Sequence, residues 1–315
     1  MTVSAHAADR PFDIEAHRGG RALRPENTLQ SFANALAIGV DTLELDMGVT
    51  KDGVVVVSHD RHLSPDLARD AHGNYVQPGI PFVTLTLKEV QSYDVGQMRP
   101  GSDYAKGFPD QRSVPGARIP TLSEVFALVR RSGNKQVRLN IETKLSPDQP
   151  DDAPDPERFV AIVLDLLRKE GFTDRVTIQS FDWRTLQLAQ KQAPSIPTSY
   201  LTMQSGVFSN VFLDKPSHWT AGFDPMRYQG SLPKAIKAAG GAIWSPFYKD
   251  VTPALVQEAH GLGLKVLPWT VNDARTMGDL IDMGADGIIS DHPDLLRQVA
   301  GEKGVVLPAP APVTP

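Results

Sequence analysis

Eight short, largely apolar stretches alternate with segments of helical periodicity along this chain, and that alternation limits the folds available to it. The predicted strands are residues 12–16, 42–49, 137–143, 176–180, 198–202, 242–245, 265–270 and 287–290. The first helix is capped by Asn27 or Thr28 and ends before Gly39, and the others are residues 121–129, 155–169, 183–192, 233–239, 253–260, 274–283 and 293–299. Eight strand–helix units in 315 residues are typical of a (β/α)8 barrel, the TIM-barrel fold.

The connection after the second strand departs from this alternation. Residues 51–53 form a predicted tight turn, and residues 54–58 return as a β-branched strand that ends at His59. Residues 61–117 then carry many prolines, glycines and aromatic residues but only one modest helix signal, near residues 86–93. A segment of that length with little regular structure predicts a small insertion after the second-strand hairpin, as a functional segment or lid.

A doubly wound open sheet is the alternative architecture for alternating strands and helices. That fold is expected to carry a glycine-rich dinucleotide-binding loop after its first strand, and the HRGG sequence at residues 17–20 does not match one. The barrel is therefore the better prediction. We expect one barrel domain over residues 12–300, with the insertion at about residues 61–117.

Both ends of the chain lie outside the predicted barrel. Within residues 1–11, residues 4–10 resemble the cleavage end of a secretory signal without its apolar region, and a short disordered leader fits equally well. The first interpretation predicts a periplasmic or secreted protein, and a cytoplasmic one is left open. Residues 301–315 end in a proline- and alanine-rich tail, which is expected to be extended and functionally quiet.

Composition excludes several classes of function. The formal net charge is −5, which gives no support for a nucleic-acid partner, and no apolar run reaches the length of a transmembrane segment. The chain has no cysteine, so disulfides, thiol nucleophiles and thiolate metal sites are excluded. Basic residues between residues 14 and 60 favour a small anionic substrate as the partner. Composition gives no indication of oligomeric state.

Polar side chains follow several predicted strands, where a parallel barrel gathers them at one mouth. Glu44 and Asp46 alternate with leucines and so share one face of the second strand, and Glu142 stands near the end of the next barrel strand. Three carboxylates this close repel one another and require a cation. All-oxygen ligation favours a hard ion such as Mg²⁺, Ca²⁺ or Mn²⁺. The alternative is that basic neighbours pair with the carboxylates and that no metal binds.

Two histidines are predicted to lie at the same mouth. His17 follows the first strand and His59 follows the hairpin, while Asp291 follows the eighth strand. Two imidazoles on either side of a reacting centre suit a general acid and a general base near neutral pH. The other six of the eight histidines are interpreted as structural or solvated. The sequence does not distinguish which of the pair is the acid.

Further residues are candidates for contacting a substrate. Arg18 and Lys144 are cations that can clamp a phosphate, pair with carboxylates, or do both. Gln179 and Phe181 end the fourth strand and Trp269 ends the seventh, where all three can line the pocket. Packing of Trp269 in the core is the alternative. A metal, basic residues and paired histidines, without a serine or cysteine nucleophile, describe metal-assisted phosphoryl transfer.

An ordered set of short motifs resembles the glycerophosphodiester phosphodiesterase family. The motifs are His17-Arg18-Gly19, Pro25-Glu26-Asn27-Thr28, Glu44-Leu45-Asp46, Lys51-Asp52-Gly53, Ser58-His59-Asp60, Asn140-Ile141-Glu142-Thr143-Lys144, Pro268-Trp269-Thr270-Val271-Asn272 and Asp286-Gly287-Ile288-Ile289-Ser290-Asp291-His292-Pro293. The resemblance covers roughly residues 12 to 298. It implies a TIM barrel with a small insertion after the histidine of the Ser-His-Asp motif. It also implies hydrolysis of glycerophosphodiesters to sn-glycerol 3-phosphate and an alcohol.

The resemblance implies roles for the candidates named above. One divalent cation, Ca²⁺ or Mg²⁺, would bind the three carboxylates, the two histidines would be the acid–base pair, and Arg18 and Lys144 would contact the phosphate. In one mechanism of the family, the neighbouring glycerol hydroxyl is an internal nucleophile and a cyclic phosphate forms, which is a proximity effect.

Two other functions are alternatives. A lysophospholipase D or phospholipase D-like enzyme on the same barrel would cleave larger lipids and present an apolar rim, for which the aromatic residues between 203 and 228 are candidates. The lack of a basic amphipathic helix counts against it. A barrel that binds phosphodiesters without cleaving them would lack a ligand or a histidine, and none is missing. Hydrolysis of deacylated phospholipids such as glycerophosphocholine or glycerophosphoethanolamine, in lipid and glycerol metabolism, is therefore the preferred prediction.

Overall fold

The structure, a computed structural model, describes residues 12–76, 78–205 and 208–315. Its strands are β1 (Asp13–Ala16), β2 (Thr42–Val49), β3 (Val55–Val57), β4 (Arg138–Thr143), β5 (Val176–Ser180), β6 (Thr198–Thr202), β7 (Ile243–Pro246), β8 (Lys265–Val266) and β9 (Gly287–Ser290). Its helices are α1 (Leu29–Ile38), α2 (Leu87–Val90), α3 (Asp103–Gly107), α4 (Leu122–Arg131), α5 (Pro156–Glu170), α6 (Trp183–Gln192), α7 (Leu232–Ala238), α8 (Pro253–Gly261), α9 (Ala274–Met283) and α10 (Pro293–Glu302).

The strands form a nearly closed parallel barrel, which confirms the predicted (β/α)8 architecture. The strand order is β8-β7-β6-β5-β4-β2-β1-β9, and β3 pairs with β2 in the antiparallel direction outside that path. Strand β8 is shorter than predicted. Its hydrogen bonds to β7 continue through Leu267 N and Trp269 N (3.0 Å each), but on the side facing β9 Pro268 has no N–H to donate. Hydrogen bonds from Asp286 N to Val266 O (2.9 Å) and from Ile289 N to Pro268 O (3.0 Å) close the barrel beside β9.

Local signals explain the ends of α1. The side chain of Thr28 accepts a hydrogen bond from the backbone N of Ser31, and the Ser31 hydroxyl accepts one from the Thr28 N–H in return. Thr28, rather than Asn27, is therefore the N-cap. Gly39 ends the helix in the left-handed conformation at φ 88°, which costs glycine little because it has no Cβ.

The hydrophobic core lies between the barrel and the helices. In β2, Leu43, Leu45 and Met47 are fully buried in this core, and each such side chain contributes about 1.5–3 kcal/mol by leaving water. Because side chains alternate along a strand, Glu44 and Asp46 point to the opposite face, which is the barrel interior. The strand that stabilises the barrel through one face therefore delivers carboxylates through the other.

The barrel interior is polar and hydrogen-bonded. The side-chain amide of Asn140 donates to Oε2 of Glu15 (2.9 Å) and to Oε1 of Gln179 (3.0 Å). Gln179 Nε2 in turn donates to Oε1 of Glu44 (2.6 Å). This chain of side chains runs along the barrel and fixes the orientation of Glu44 from below.

The predicted insertion connects β3 to α4 and has a small core of its own. That core consists of Val56, Leu63, Ala68, Phe82, Val90, Val95 and Ile119. Its helices α2 and α3 are short, and each begins at a capping side chain, Thr86 and Ser102 respectively. The insertion thus folds against the outer hairpin strand instead of entering the barrel wall.

The C-terminal segment packs against the end of the barrel where α1 leads into β2. Arg297 Nη1 donates to the carbonyl oxygens of Gly39 (2.6 Å) and Pro308 (2.7 Å), and Ala311 N donates to Leu36 O (2.8 Å). The expected leader at residues 1–11 lies outside the described residues. Within the ranges that the structure describes, no helix has both the length and the hydropathy needed to cross a membrane.

Candidate active site

A cavity of about 130 Å³ opens at the carboxyl ends of the barrel strands. Its walls are formed by His17, Arg18, Arg21, Glu44, His59, Glu142, Gln179, Phe181, Leu201, Trp269, Thr270 and Ile289. Of the predicted site residues, Asp46 and Lys144 lie behind this wall, and all the others are part of it. A larger open cleft of about 520 Å³ borders the C-terminal segment, but the described residues that line it include no histidine, lysine or arginine. The candidate site is therefore identified by the histidine and arginine side chains that line it, and not by the volume of the cavity.

The three carboxylates predicted as metal ligands lie together. One ligand oxygen from each of Glu44, Asp46 and Glu142 lies within 4.8 Å of the others, because β2 and β4 are neighbours that pair Asp46 with Glu142 in register. Burial, reinforced by the negative charge of Asp46, raises the pKa of Glu44 well above its ordinary value. Burial also raises the pKa of Glu142 to about 7, against the attraction of Lys144. Both shifts report negative charge that the protein alone does not fully neutralise.

Asp46 is the ionised member of the cluster. Burial opposes its charge, but the surrounding cationic groups outweigh burial and hold the pKa of Asp46 below its ordinary value. Its Oδ1 is buried without a hydrogen-bond partner in the described part of the chain. A buried carboxylate oxygen that accepts no hydrogen bond and stands beside two further carboxylates fits a hard divalent cation, which prefers oxygen ligands. The three residues could hold a metal ion.

Neighbouring groups orient the carboxylates. The backbone N–H of Arg18 donates to Oε2 of Glu44 (2.8 Å), and Asn27 Nδ2 donates to Oδ2 of Asp46 (2.9 Å). Sequence analysis predicted Asn27 or Thr28 as the cap of α1, and Thr28 takes that position, which leaves the Asn27 side chain free to bind Asp46. The backbone of Asn27 is left-handed at φ 54°, a conformation that asparagine tolerates better than most residues.

The two predicted phosphate-binding cations are paired with carboxylates, as the alternative interpretation allowed. Arg18 Nη1 donates to both carboxylate oxygens of Glu26 (3.0 Å each). Lys144 Nζ lies 2.9 Å from Oε1 of Glu142 and 3.7 Å from Oδ1 of Asp46. Because an ion pair uses only part of a guanidinium or ammonium group, neither contact removes the ability to bind a phosphate.

His17 is held by a carboxylate from the far end of the sequence. Its Nδ1 lies 2.6 Å from Oδ1 of Asp291, and its Nε2 lies 4.0 Å from Oε2 of Glu44. Burial lowers the pKa of His17, against the attraction of Asp291. Burial also opposes the charge of Asp291, but His17 and Arg21 outweigh it and hold the pKa of this carboxyl below its ordinary value. The arrangement is a neutral imidazole backed by a fixed negative charge.

His59 has a carboxylate partner of its own. Its Nδ1 lies 3.0 Å from Oδ1 of Asp60, and its side chain is 35 % exposed. Removal from water and the positive charges of Arg18 and Lys144 lower the pKa of His59 to about 4. Both predicted acid–base histidines therefore lie at one cavity, each with a carboxylate beside Nδ1.

Aromatic side chains form one side of the cavity. Phe181 meets the edge of Trp269 at 5.2 Å between ring centroids, and Lys144 Nζ lies 5.9 Å from the Phe181 ring. Two further rings continue this wall. The Phe208 centroid lies 5.4 Å from that of Phe181, and the Trp219 centroid lies 5.1 Å from that of Phe208. Trp269 lines the cavity, so its alternative interpretation as simple core packing is wrong.

Sequence analysis missed three residues near the cavity: Glu26, Arg21 and Tyr104. Glu26 stands in the Pro25-Glu26-Asn27-Thr28 motif, which was a usable signal, and Arg21 lies four residues after His17. Tyr104 had no signal, because the insertion has no periodic pattern that would place its residues against the barrel.

Comparison with known proteins gives a consistent family. The sequence model of the glycerophosphoryl diester phosphodiesterase family matches residues 17–295. A glycerophosphodiester phosphodiesterase of Caldanaerobacter subterraneus subsp. tengcongensis is 30 % identical over 295 residues, which cover 92 % of this chain and 98 % of that protein. A crystal structure from Silicibacter pomeroyi, assigned as a glycerophosphoryl diester phosphodiesterase, is 36 % identical with a TM-score of 0.83, and the match covers 94 % of this chain and 95 % of that one. An Oleispira antarctica phosphodiesterase, solved with its product sn-glycerol 3-phosphate, shares the fold at 23 % identity and a TM-score of 0.66, over 94 % of this chain and 100 % of that one.

Proposed function

This chain belongs to the glycerophosphoryl diester phosphodiesterase family, and on that basis we propose that it hydrolyses glycerophosphodiesters in a metal-dependent reaction. The products are sn-glycerol 3-phosphate and an alcohol. The observation that carries the proposal is that His17 and His59, each beside a carboxylate, line the same small cavity as Glu44 and Glu142. Proton transfer and charge neutralisation are thereby available at one place.

The cation is proposed to be Ca²⁺ or Mg²⁺, held by Glu44, Asp46 and Glu142. When bound, such an ion would offset the negative charge that builds on the phosphoryl oxygens in the transition state. The chain supplies the orientation of the carboxylates through hydrogen bonds from Asn27 and Gln179.

Arg18 and Lys144 are proposed to bind the phosphate. Arg18 is buried, Lys144 is nearly so, and both carry a fixed charge next to the carboxylate cluster. A phosphodiester monoanion placed among them would therefore find complementary charge in a site with little water. The guanidinium suits two phosphate oxygens, and the ammonium acts as a point charge.

The histidines are proposed to move the protons. One imidazole takes a proton from the attacking hydroxyl as its oxygen bonds to phosphorus, and the other gives a proton to the alcohol oxygen as the bond between phosphorus and that oxygen breaks. The attacking hydroxyl is that of water or the neighbouring glycerol hydroxyl, with water then opening the cyclic phosphate. Asp291 and Asp60 stabilise whichever imidazole carries the positive charge.

The alcohol is proposed to be small, as in glycerophosphocholine or glycerophosphoethanolamine, because the cavity of about 130 Å³ has little room beyond a glycerophosphate. A lysophospholipase D-like activity is the second candidate. It is favoured by large apolar side chains exposed on the loops after β6, namely Phe208, Leu213 and Met226, of which Phe208 packs on Phe181 at the cavity.

The test is hydrolysis of glycerophosphocholine and glycerophosphoethanolamine, coupled to detection of glycerol 3-phosphate, with and without EDTA. Turnover that EDTA abolishes, that Ca²⁺ or Mg²⁺ restores, and that His17→Ala and Glu44→Ala eliminate is the expected result. His260→Ala is the matched control, because His260 pairs with Asp286 at the other end of the barrel (2.7 Å). No turnover with either substrate, together with cleavage of a lysophospholipid, would transfer the assignment to the second candidate. Binding of the diesters without cleavage would indicate a phosphodiester-binding barrel.

A further inference from the structure

The insertion reaches the catalytic loop through the short helix α3. The Tyr104 hydroxyl donates a hydrogen bond to Oε2 of Glu26, in the loop that follows β1. One turn later, the ring of Phe108 lies 4.8 Å from Cζ of Arg21, and Gln111 Nε2 donates to the Arg21 carbonyl oxygen (2.6 Å). The insertion is therefore in contact with the loop that carries the phosphate-binding arginine.

Glu26 is the principal partner of the Arg18 side chain. Arg18 Nη1 lies 3.0 Å from each oxygen of this carboxylate, whose side chain is 6 % exposed. The backbone of Arg18 is fixed separately, at φ 51° and by its N–H bond to Glu44. The remaining freedom is that of the long side chain, which has several rotatable bonds and loses conformational entropy when it is ordered. The Glu26 carboxylate therefore places the Nη1 end of the guanidinium, while Oδ2 of Asp46 lies 3.5 Å from its Nε.

A second arginine competes for that carboxylate. Arg21 Nη1 lies 3.7 Å from the same Oε2 of Glu26, and a rotation of the carboxylate towards Arg21 would withdraw it from Arg18. The Tyr104 hydroxyl donates to this oxygen, and a hydrogen bond to an ionised acceptor is strong and directional. We infer that Tyr104 is a positioning residue, which acts through Glu26 to hold the Arg18 guanidinium in place for the substrate phosphate.

This inference rests on the proposed function, since the phosphate is the group that Arg18 would bind. It gives the insertion a role in the reaction that differs from that of a lid. A lid would cover the cavity, whereas Tyr104 is not among the residues that line it and contacts the loop after β1 by way of Glu26.

The test compares Tyr104→Phe with Tyr75→Phe. Tyr75 belongs to the same insertion, and its hydroxyl donates to the backbone oxygen of Met98 (2.8 Å), so its loss removes a hydrogen bond without touching Glu26. For Tyr104→Phe we expect KM to rise about five- to tenfold with kcat changed less than about twofold, which is the effect of one lost hydrogen bond on binding. The inhibition constant of inorganic phosphate should rise in parallel. Tyr75→Phe should leave both quantities unchanged.

A purely structural tyrosine would give a different pattern. It would lower the melting temperature and the amount of active enzyme, so that kcat falls while KM and phosphate inhibition stay as in the unsubstituted protein, and that result overturns the inference. In an Arg18→Lys background, where the two-oxygen contact is lost, Tyr104→Phe should add no further rise in KM. If Tyr104→Phe raises KM in the Arg18→Lys background by the same factor as in the unsubstituted enzyme, the inference is also overturned. If the unsubstituted enzyme has no diesterase activity, the proposed function fails. Calorimetry of phosphate binding would then still distinguish the two variants, because Tyr104→Phe should bind phosphate more weakly and Tyr75→Phe should not.

Discussion

Nδ1 of His17 lies 2.6 Å from Oδ1 of Asp291, although 274 residues separate them in the chain. They meet because β1 and β9 are adjacent, with Ala16 opposite Ser290, so that the residues following both strands emerge side by side. Oδ2 of the same aspartate accepts a hydrogen bond from Asn272 Nδ2 (2.7 Å). The aspartate is thus held from both sides and fixes the imidazole with Nδ1 protonated and Nε2 available.

Asp291→Asn should lower kcat on the order of 10²-fold or more while changing KM little, since the amide cannot fix that tautomer or stabilise the imidazolium. Steady-state kinetics on glycerophosphocholine measures it. Asp286→Asn is the control, because it alters the His260–Asp286 pair at the other end of the barrel and should leave kcat unchanged. An Asp291→Asn enzyme with full kcat would show that Asp291 does not assist His17.

Removal of the divalent cation should lower the melting temperature more near pH 8 than near pH 5.5. The folded pKa of Glu142 is raised to about 7, so its contribution to stability is present below the ordinary glutamate pKa and is lost as pH rises through about 7. Above that pH Glu142 is ionised beside Asp46, and a bound cation would offset the added negative charge. Scanning calorimetry with Ca²⁺ and with EDTA at both pH values measures the difference.

Glu44→Gln provides the matched variant for that experiment. It should abolish most of the cation-dependent increase in melting temperature, because a neutral amide cannot replace the carboxylate as an anionic ligand. Glu170→Gln, at the exposed Arg130 pair on the outer surface, should keep the full cation response. A cation response that is equal at both pH values would argue against ligation by these carboxylates.

Asp41→Asn should increase the free energy of unfolding near pH 8 by about 1–2 kcal/mol, after allowance for partial exposure to solvent. Burial raises the pKa of Asp41 to about 6, so the stability associated with its protonated form is lost as pH rises through about 6. Asparagine keeps the oxygen that accepts the Ile14 N–H (3.1 Å). Urea denaturation across pH measures the effect, with Asp165→Asn, whose side chain is 77 % exposed, as the control. A loss of stability at every pH would contradict it.

Deletion of residues 306–315 should lower the free energy of unfolding by about 1–3 kcal/mol while kcat stays unchanged. Leu307 and Val313 pack against the core, and the Pro308 carbonyl accepts from Arg297. Denaturation and steady-state kinetics on the truncated protein test both parts. A truncated protein that retains its stability would show that these contacts are not significant, and a fall in kcat would contradict the expectation that the tail is functionally quiet.

Strand periodicity predicted the fold because strands such as β2 turn an apolar face towards the helices and a polar face towards the barrel interior. The bounds of β2 were predicted from alternating leucines and carboxylates, and the helix at residues 183–192 from its apolar spacing. Strand β8 was predicted too long, since the apolar pattern continues past Pro268, which has no N–H to donate towards β9. Sequence patterns report burial, whereas a strand also requires a donor at each position.

The geometry of the site was predictable where a residue's position follows from its place at a strand end, as for the three carboxylates and His17. It was not predictable where a role depends on a partner in a distant loop. Asn27 was assigned to the helix because a cap is a local pattern, whereas its bond to Asp46 depends on a left-handed turn. Tyr104 meets Glu26 across 78 residues, and only the folded insertion brings the two together.

That contact matters for protein engineering. The insertion has a core of its own outside the barrel wall, and it therefore resembles a cassette that could be exchanged between relatives to change substrate access. Its helix α3 nevertheless supplies a hydroxyl to the partner of Arg18. An exchanged insertion without this hydroxyl would leave the barrel folded and the carboxylates in place, but Arg18 beside them would be held less firmly. An exchangeable module therefore has to include both Glu26 and Tyr104.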